Sequence, residues 1–147
     1  MDATGKSIES KIKTVEERLQ KLRNVESGLR SFDAFQSNTD LKDIVERNLQ
    51  VAIETCLDIG KIVISRKKLA EPKDNKGIFV ILAEAGVINQ QSLSFMIPMA
   101  GTRNILVHGY DKVDDSLVYG ILKKHLDDFN TFLRQIRDNY LRGPNGA

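Results

Sequence analysis

The residue types able to do chemistry gather in one stretch, Gly101-Thr102-Arg103-Asn104-Ile105-Leu106-Val107-His108-Gly109-Tyr110. Arginine carries a permanent planar charge that holds a phosphate at two points. Histidine titrates near neutral pH and can move a proton to or from a 2′-hydroxyl or a 5′-oxygen. Together they suit phosphoryl transfer on RNA without a metal. Asn104 and His108 are four apart, so they share one helical face. Arg103 and His108 are five apart, about 140° around an ideal helix. A last turn that departs from ideal geometry would let them share a face, and a long Arg side chain, a kink at Pro98 or a second subunit would bring them into one cleft. The same spacing also fits an ordinary helix end, with His108 satisfying terminal carbonyls and Arg103 on the surface.

Other chemistries find little support. The chain has no GxxxxGKS/T or GxGxxG phosphate loop and no HExxH. Cys56 is the single cysteine, so no disulfide forms within the chain, and with only His108 and His125 no metal or other cofactor is expected. Cys56 falls on an apolar stripe and reads as a small core residue. Lys and Arg number 22 against 20 Asp and Glu, a net charge of +2. That balance excludes a general polycation but not a local basic patch. Arg66, Lys67, Lys68, Lys73 and Lys76 form one such candidate for RNA-backbone contact, or a solvated helix end and loop. Glu46, Arg47 and Asp58 are candidates for supporting a site from a neighbouring helix, or an exposed face. His125, Tyr119 and Tyr140 read as packed or half-exposed aromatics.

The elements that must position these residues are helices. Ile8, Ile12, Val15, Leu19, Leu22, Val25, Leu29 and Phe32 recur at steps of three and four. A second helix follows through Leu41, Val45, Leu49, Ala52, Cys56, Ile59 and Val63, capped by Thr39 or Asp40. After a polar loop, Asp74 or Asn75 caps a short third helix that Gly86 ends. A fourth runs from about Asn89 to His108 with a kink expected at Pro98. A fifth runs from about Asp115 to Leu141. The short run Gly77 to Leu82 is rich in Ile, Val and Phe, but one isolated strand has no partner. The reading is an all-α bundle of about five helices, one domain over residues 1–142, with a flexible tail at 143–147. No leader or membrane-spanning run is visible, so a cytoplasmic protein without membrane contact is expected.

The string RNILVHGY, with Arg103, Asn104, His108 and Tyr110, matches the RxxxxHxY signature of the HEPN superfamily. More closely, it resembles the HepT-like toxins encoded beside minimal nucleotidyltransferase (MNT) antitoxins. Glu46 to Glu54 with Cys56 to Ile59 is similar to that family's second helix, and Leu82 to Ile88 to the segment before its motif helix. Val113-Asp114 and the following helix also fit, so the likeness spans roughly residues 8–138. Thr102 departs from it, since many relatives carry a large apolar residue there, and Pro98 is unusual within that helix. The resemblance implies a metal-independent endoribonuclease toxin, active as a homodimer with Arg and His of both subunits at one interface cleft. By position, Arg103 would stabilise charge on the scissile phosphate and His108 would act as general base or acid. Asn104 would orient the histidine or the phosphate, and Tyr110 would be the residue a nucleotidyltransferase antitoxin modifies with AMP. The fold also serves a second role, a non-catalytic nucleotide- or substrate-binding module that docks a nucleotidyltransferase.

Overall fold

The structure, a computed structural model, describes residues 2–109 and 113–142. Among these the architecture is all-α and contains no strand: α1 Ala3–Gly28, α2 Phe32–Gln36, α3 Thr39–Arg66, α4 Asn75–Glu84, α5 Leu93–His108, α6 Asp115–Lys124 and α7 Leu126–Ile136. A 3-10 turn, Gln90–Ser92, leads into α5, and a π turn, Arg137–Leu141, follows α7. The sequence-derived bundle of about five helices is thus observed at finer grain.

Each boundary has a local cause. Leu29 leaves the helical region (φ −97°, ψ 118°) and buries its side chain, and Ser31 caps a new short helix by accepting from the Ala34 N–H. The first stripe therefore ends four residues before Phe32. Asn38, rather than Thr39 or Asp40, caps α3 through the Leu41 N–H. Asp74 caps α4 as expected, accepting from Gly77. Gly86 turns the chain with φ +76°, a conformation that favours glycine. The run Gly77 to Leu82 is helical. The expected fifth helix divides at His125 (φ −125°, ψ 7°), whose Nδ1 lies 2.9 Å from Asp128 and whose ring stacks on Phe95. A one-residue break barely disturbs helical spacing, which is why the apolar periodicity ran through it. α5 itself continues through Pro98, which cannot donate to Ser94. The hydroxyl of Thr102 donates to the Pro98 carbonyl at 3.0 Å, so this buried polar side chain is satisfied.

The core is one cluster. Ile8, Ile12, Val15, Leu19 and Leu22 of α1 pack with Val45, Leu49, Ile53, Cys56, Ile59 and Val63 of α3, and Phe79, Phe129 and Phe132 close it. Burial pushes the Cys56 thiol far above its usual range, so it stays a protonated core group. Tyr140 is buried, and Tyr119 packs on Phe32 and Phe35. α3 is the central element, touching α1 on one side and α4 and α5 on the other. At Gly60 the α3–α4 approach is so close that a Cβ would stand 2.5 Å from Ile78 Cγ2. No helix among the described residues is long and apolar enough to cross a membrane.

Candidate active site

α5 packs against α3: Arg103 of α5 meets Glu54 in the middle of α3, while Asp115, the first residue of α6, meets Lys42 at the start of α3. That crossing places Arg103. Its half-buried guanidinium reaches Glu54 Oε1 at 3.9 Å through Nε and donates to Asn104 Oδ1 at 3.3 Å through Nη1. Glu54 is itself held by Gln50, whose amide donates to it at 2.7 Å. Arg103, Glu54, Leu57, Asp58, Lys61 and Asn75 line one shallow cleft of about 230 Å³. Asn75, the first residue of α4, also lines the neighbouring cleft with Asn104, Ala100, Asp74 and Lys76.

His108 is not in the Arg103 cleft. It is exposed at the last position of α5, and the Ile105 carbonyl there already accepts the Gly109 N–H at 2.7 Å. One of the terminal carbonyls is thus satisfied by the backbone rather than by the histidine ring. Asn104, Ile105 and His108 are exposed among the described residues, and Ile105 is 40 % exposed. Tyr110 lies outside the described residues.

The remaining candidates separate. Asp58 joins Arg103. Arg47 is exposed further toward the start of α3. Glu46 faces Asp43 and Asp115. Burial first, then these two charges, raise its carboxyl above the ordinary range against the pull of Lys42. The basic candidates fall into two groups. Lys76 stands beside Asn104, whereas Arg66, Lys67 and Lys68 surround a separate recess with Asp2 and Tyr140. Lys73 is exposed on the loop before α4. Sequence reasoning missed Glu54, Lys61 and Asn75. Glu54 and Lys61 lie four before and three after Asp58, so completing that polar stripe would have named them.

A roomier cavity, about 390 Å³, lies between α5 and the α6–α7 junction, lined by Phe95, Pro98, Met99, Leu117, Ile121 and His125 among others. It holds none of Arg103, Asn104 or His108, and the Asn104 cleft, at about 380 Å³, is as large, so volume does not decide between them and the chemistry locates the candidate site. Among the described residues no three His, Cys, Asp or Glu side chains gather as metal ligands.

The chain is similar to known proteins in sequence and fold. A family model described as ribonuclease HepT-like matches residues 15–136. An mRNA nuclease HepT of Shewanella oneidensis is 29% identical over 130 residues, covering 88% of this chain and 96% of the relative. A tRNA nuclease HepT of Aphanizomenon flos-aquae is 28% identical over 134 residues, covering 91% and 89%. The solved structure of a tri-AMPylated Shewanella oneidensis HEPN toxin in complex with MNT antitoxin superposes with a TM-score of 0.82 at 28% identity, covering 93% of this chain and 98% of that one.

Proposed function

Because the chain belongs to the ribonuclease HepT-like family, we propose that it is an endoribonuclease, the toxin of a prokaryotic toxin–antitoxin pair. Its antitoxin is a nucleotidyltransferase of the MNT kind, as in the related complex. The single observation that carries this reading is the held Arg103, with Asn104 beside it and His108 exposed on the same helix.

The reaction needs no metal. His108 takes the proton of a 2′-hydroxyl, whose oxygen attacks the adjacent phosphorus. The 2′-O–P bond forms, the P–O5′ bond breaks, and a proton passes to the departing 5′-oxygen. A 2′,3′-cyclic phosphate and a 5′-hydroxyl result. Arg103 offsets the charge growing on the phosphoryl oxygens, a permanent donor where charge develops. Asn104, through its contact with Arg103, fixes the guanidinium.

Within one chain Arg103 and His108 face different ways, so the working unit is a homodimer. α5 supports this because it is largely apolar yet leaves Ile97, Leu106 and Val107 only half-buried and Ile105 exposed. A helix of that kind belongs inside an assembly. A two-fold contact across Asn104, Ile105 and His108 would cover the apolar side chain and pair the two sets of groups.

Tyr110 is the regulatory handle in this reading. AMP attached there adds a phosphate charge and a base near Arg103, which competes with RNA. Tyr110→Phe should escape neutralisation by the partner, and intact mass after co-expression decides it. The test of the whole is incubation of purified, unmodified protein with tRNA and mRNA in EDTA. Cyclic-phosphate ends support it. Absence of cleavage leaves the binding-module reading, and metal-dependent cutting to 5′-phosphates contradicts the mechanism.

A further inference from the structure

We propose that the exposed face of α3 is the track of the RNA strand, with Arg47 and Lys61 each holding a phosphate on either side of the one at Arg103. The inference rests on the ribonuclease reading and deepens it. At 100° per residue, positions 47, 51, 54, 58 and 61 fall within about 80° of one another, a single stripe along α3. Arg103 lands on this stripe at Glu54, in the cleft that Asp58 and Lys61 share. Arg47 and Lys61 are each seven residues from Glu54, about 10 Å along the axis in opposite directions. That spacing is short enough for nearby phosphates of one strand.

The charges on the stripe are arranged for it. Arg47 and Lys61 are both exposed, and among the described residues neither meets a carboxylate within ion-pair distance. Glu54, which would repel a phosphate, is engaged by Arg103 and Gln50. Among the described residues lining that cleft, Asp58 is the carboxylate besides Glu54, and it shares the cleft with Arg103 and Lys61. Asp40, Asp43 and Glu46 follow beyond Arg47 and end the track there. Arg66, Lys67 and Lys68, the more obvious basic run, flank a different recess with Asp2 and Tyr140.

Two readouts test this. An all-2′-deoxy single-stranded oligonucleotide, which lacks the attacking hydroxyl, is titrated by fluorescence anisotropy across a salt series, and cleavage of the matching RNA is followed in parallel. Arg47→Ala and Lys61→Ala should each lower the salt slope by about 0.7, the value for one phosphate contact on a single strand. Affinity at low salt should fall severalfold, KM should rise in step, and kcat should hold. Arg47→Glu and Lys61→Glu should deepen the loss, while Arg134→Ala on α7 serves as the charge control and should match wild type. If wild type cuts RNA and both variants keep its salt slope and KM, the track is wrong and the ribonuclease reading stands. A variant that loses kcat with unchanged binding also overturns it, since that residue then acts on the reacting atoms. Wild type that neither binds nor cuts removes both readings together.

Discussion

The two sides of α5 contrast sharply. On its inner side Arg103 is fixed by Glu54, which Gln50 fixes in turn. On its outer side Asn104, Ile105 and His108 stand exposed, with an apolar side chain between two polar ones. One chain thus positions the guanidinium, while the histidine stands on an exposed face, and in the proposed dimer a second surface would cover it.

The largest expected effect falls on both sides equally. Arg103→Ala and His108→Ala should each lower cleavage by at least about a hundredfold, with helical circular dichroism retained. A variant cutting at the wild-type rate would remove that residue from the site. Ile105→Asp separates the sides. It should convert a dimer into a monomer at micromolar concentration by light scattering, and abolish cleavage while Arg103 stays in place. An active monomer would show that the outer face is not needed. Gly60→Ala probes the support behind the inner side. Its Cβ would strike Ile78, so urea unfolding should show a loss of about 1–3 kcal/mol.

The smallest effect is electrostatic. The carboxyl of Glu46 has its pKa raised by folding, so its ionised form is disfavoured in the native state. For such a group stability is lost as pH rises through the carboxylate range. Glu46→Gln should thus raise the melting temperature slightly at pH 7, and the gain should vanish below pH ~4, where the unfolded carboxyl is also protonated. A gain that persists in acid would assign the effect to packing.

Helical periodicity reports burial, so the stripe from Ile8 to Leu22 and that from Val45 to Val63 predicted the two central helices directly. It is blind to single-residue interruptions. His125 breaks a helix by turning its own backbone while Leu122 and Leu126 still face the core. The motif Arg103, Asn104, His108 was legible because its residue types are unusual together. Glu54 was not, because a lone acid on an amphipathic helix looks like solvent-facing charge. Only the crossing of α3 and α5, separated by about fifty residues of chain, reveals it as the anchor of Arg103. Likewise the run Arg66 to Lys68 is conspicuous in sequence, yet the fold carries it to a recess apart from the site, while the solitary Lys61 is delivered to it.

Arg137, in the π turn that closes the described chain, forks onto Glu9 and Glu16 of α1, and Lys123 holds the carbonyls that end α1. Segments 121 and 128 residues apart in sequence are thus tied by charge as well as by apolar packing, and added salt should loosen that tie before it touches the core.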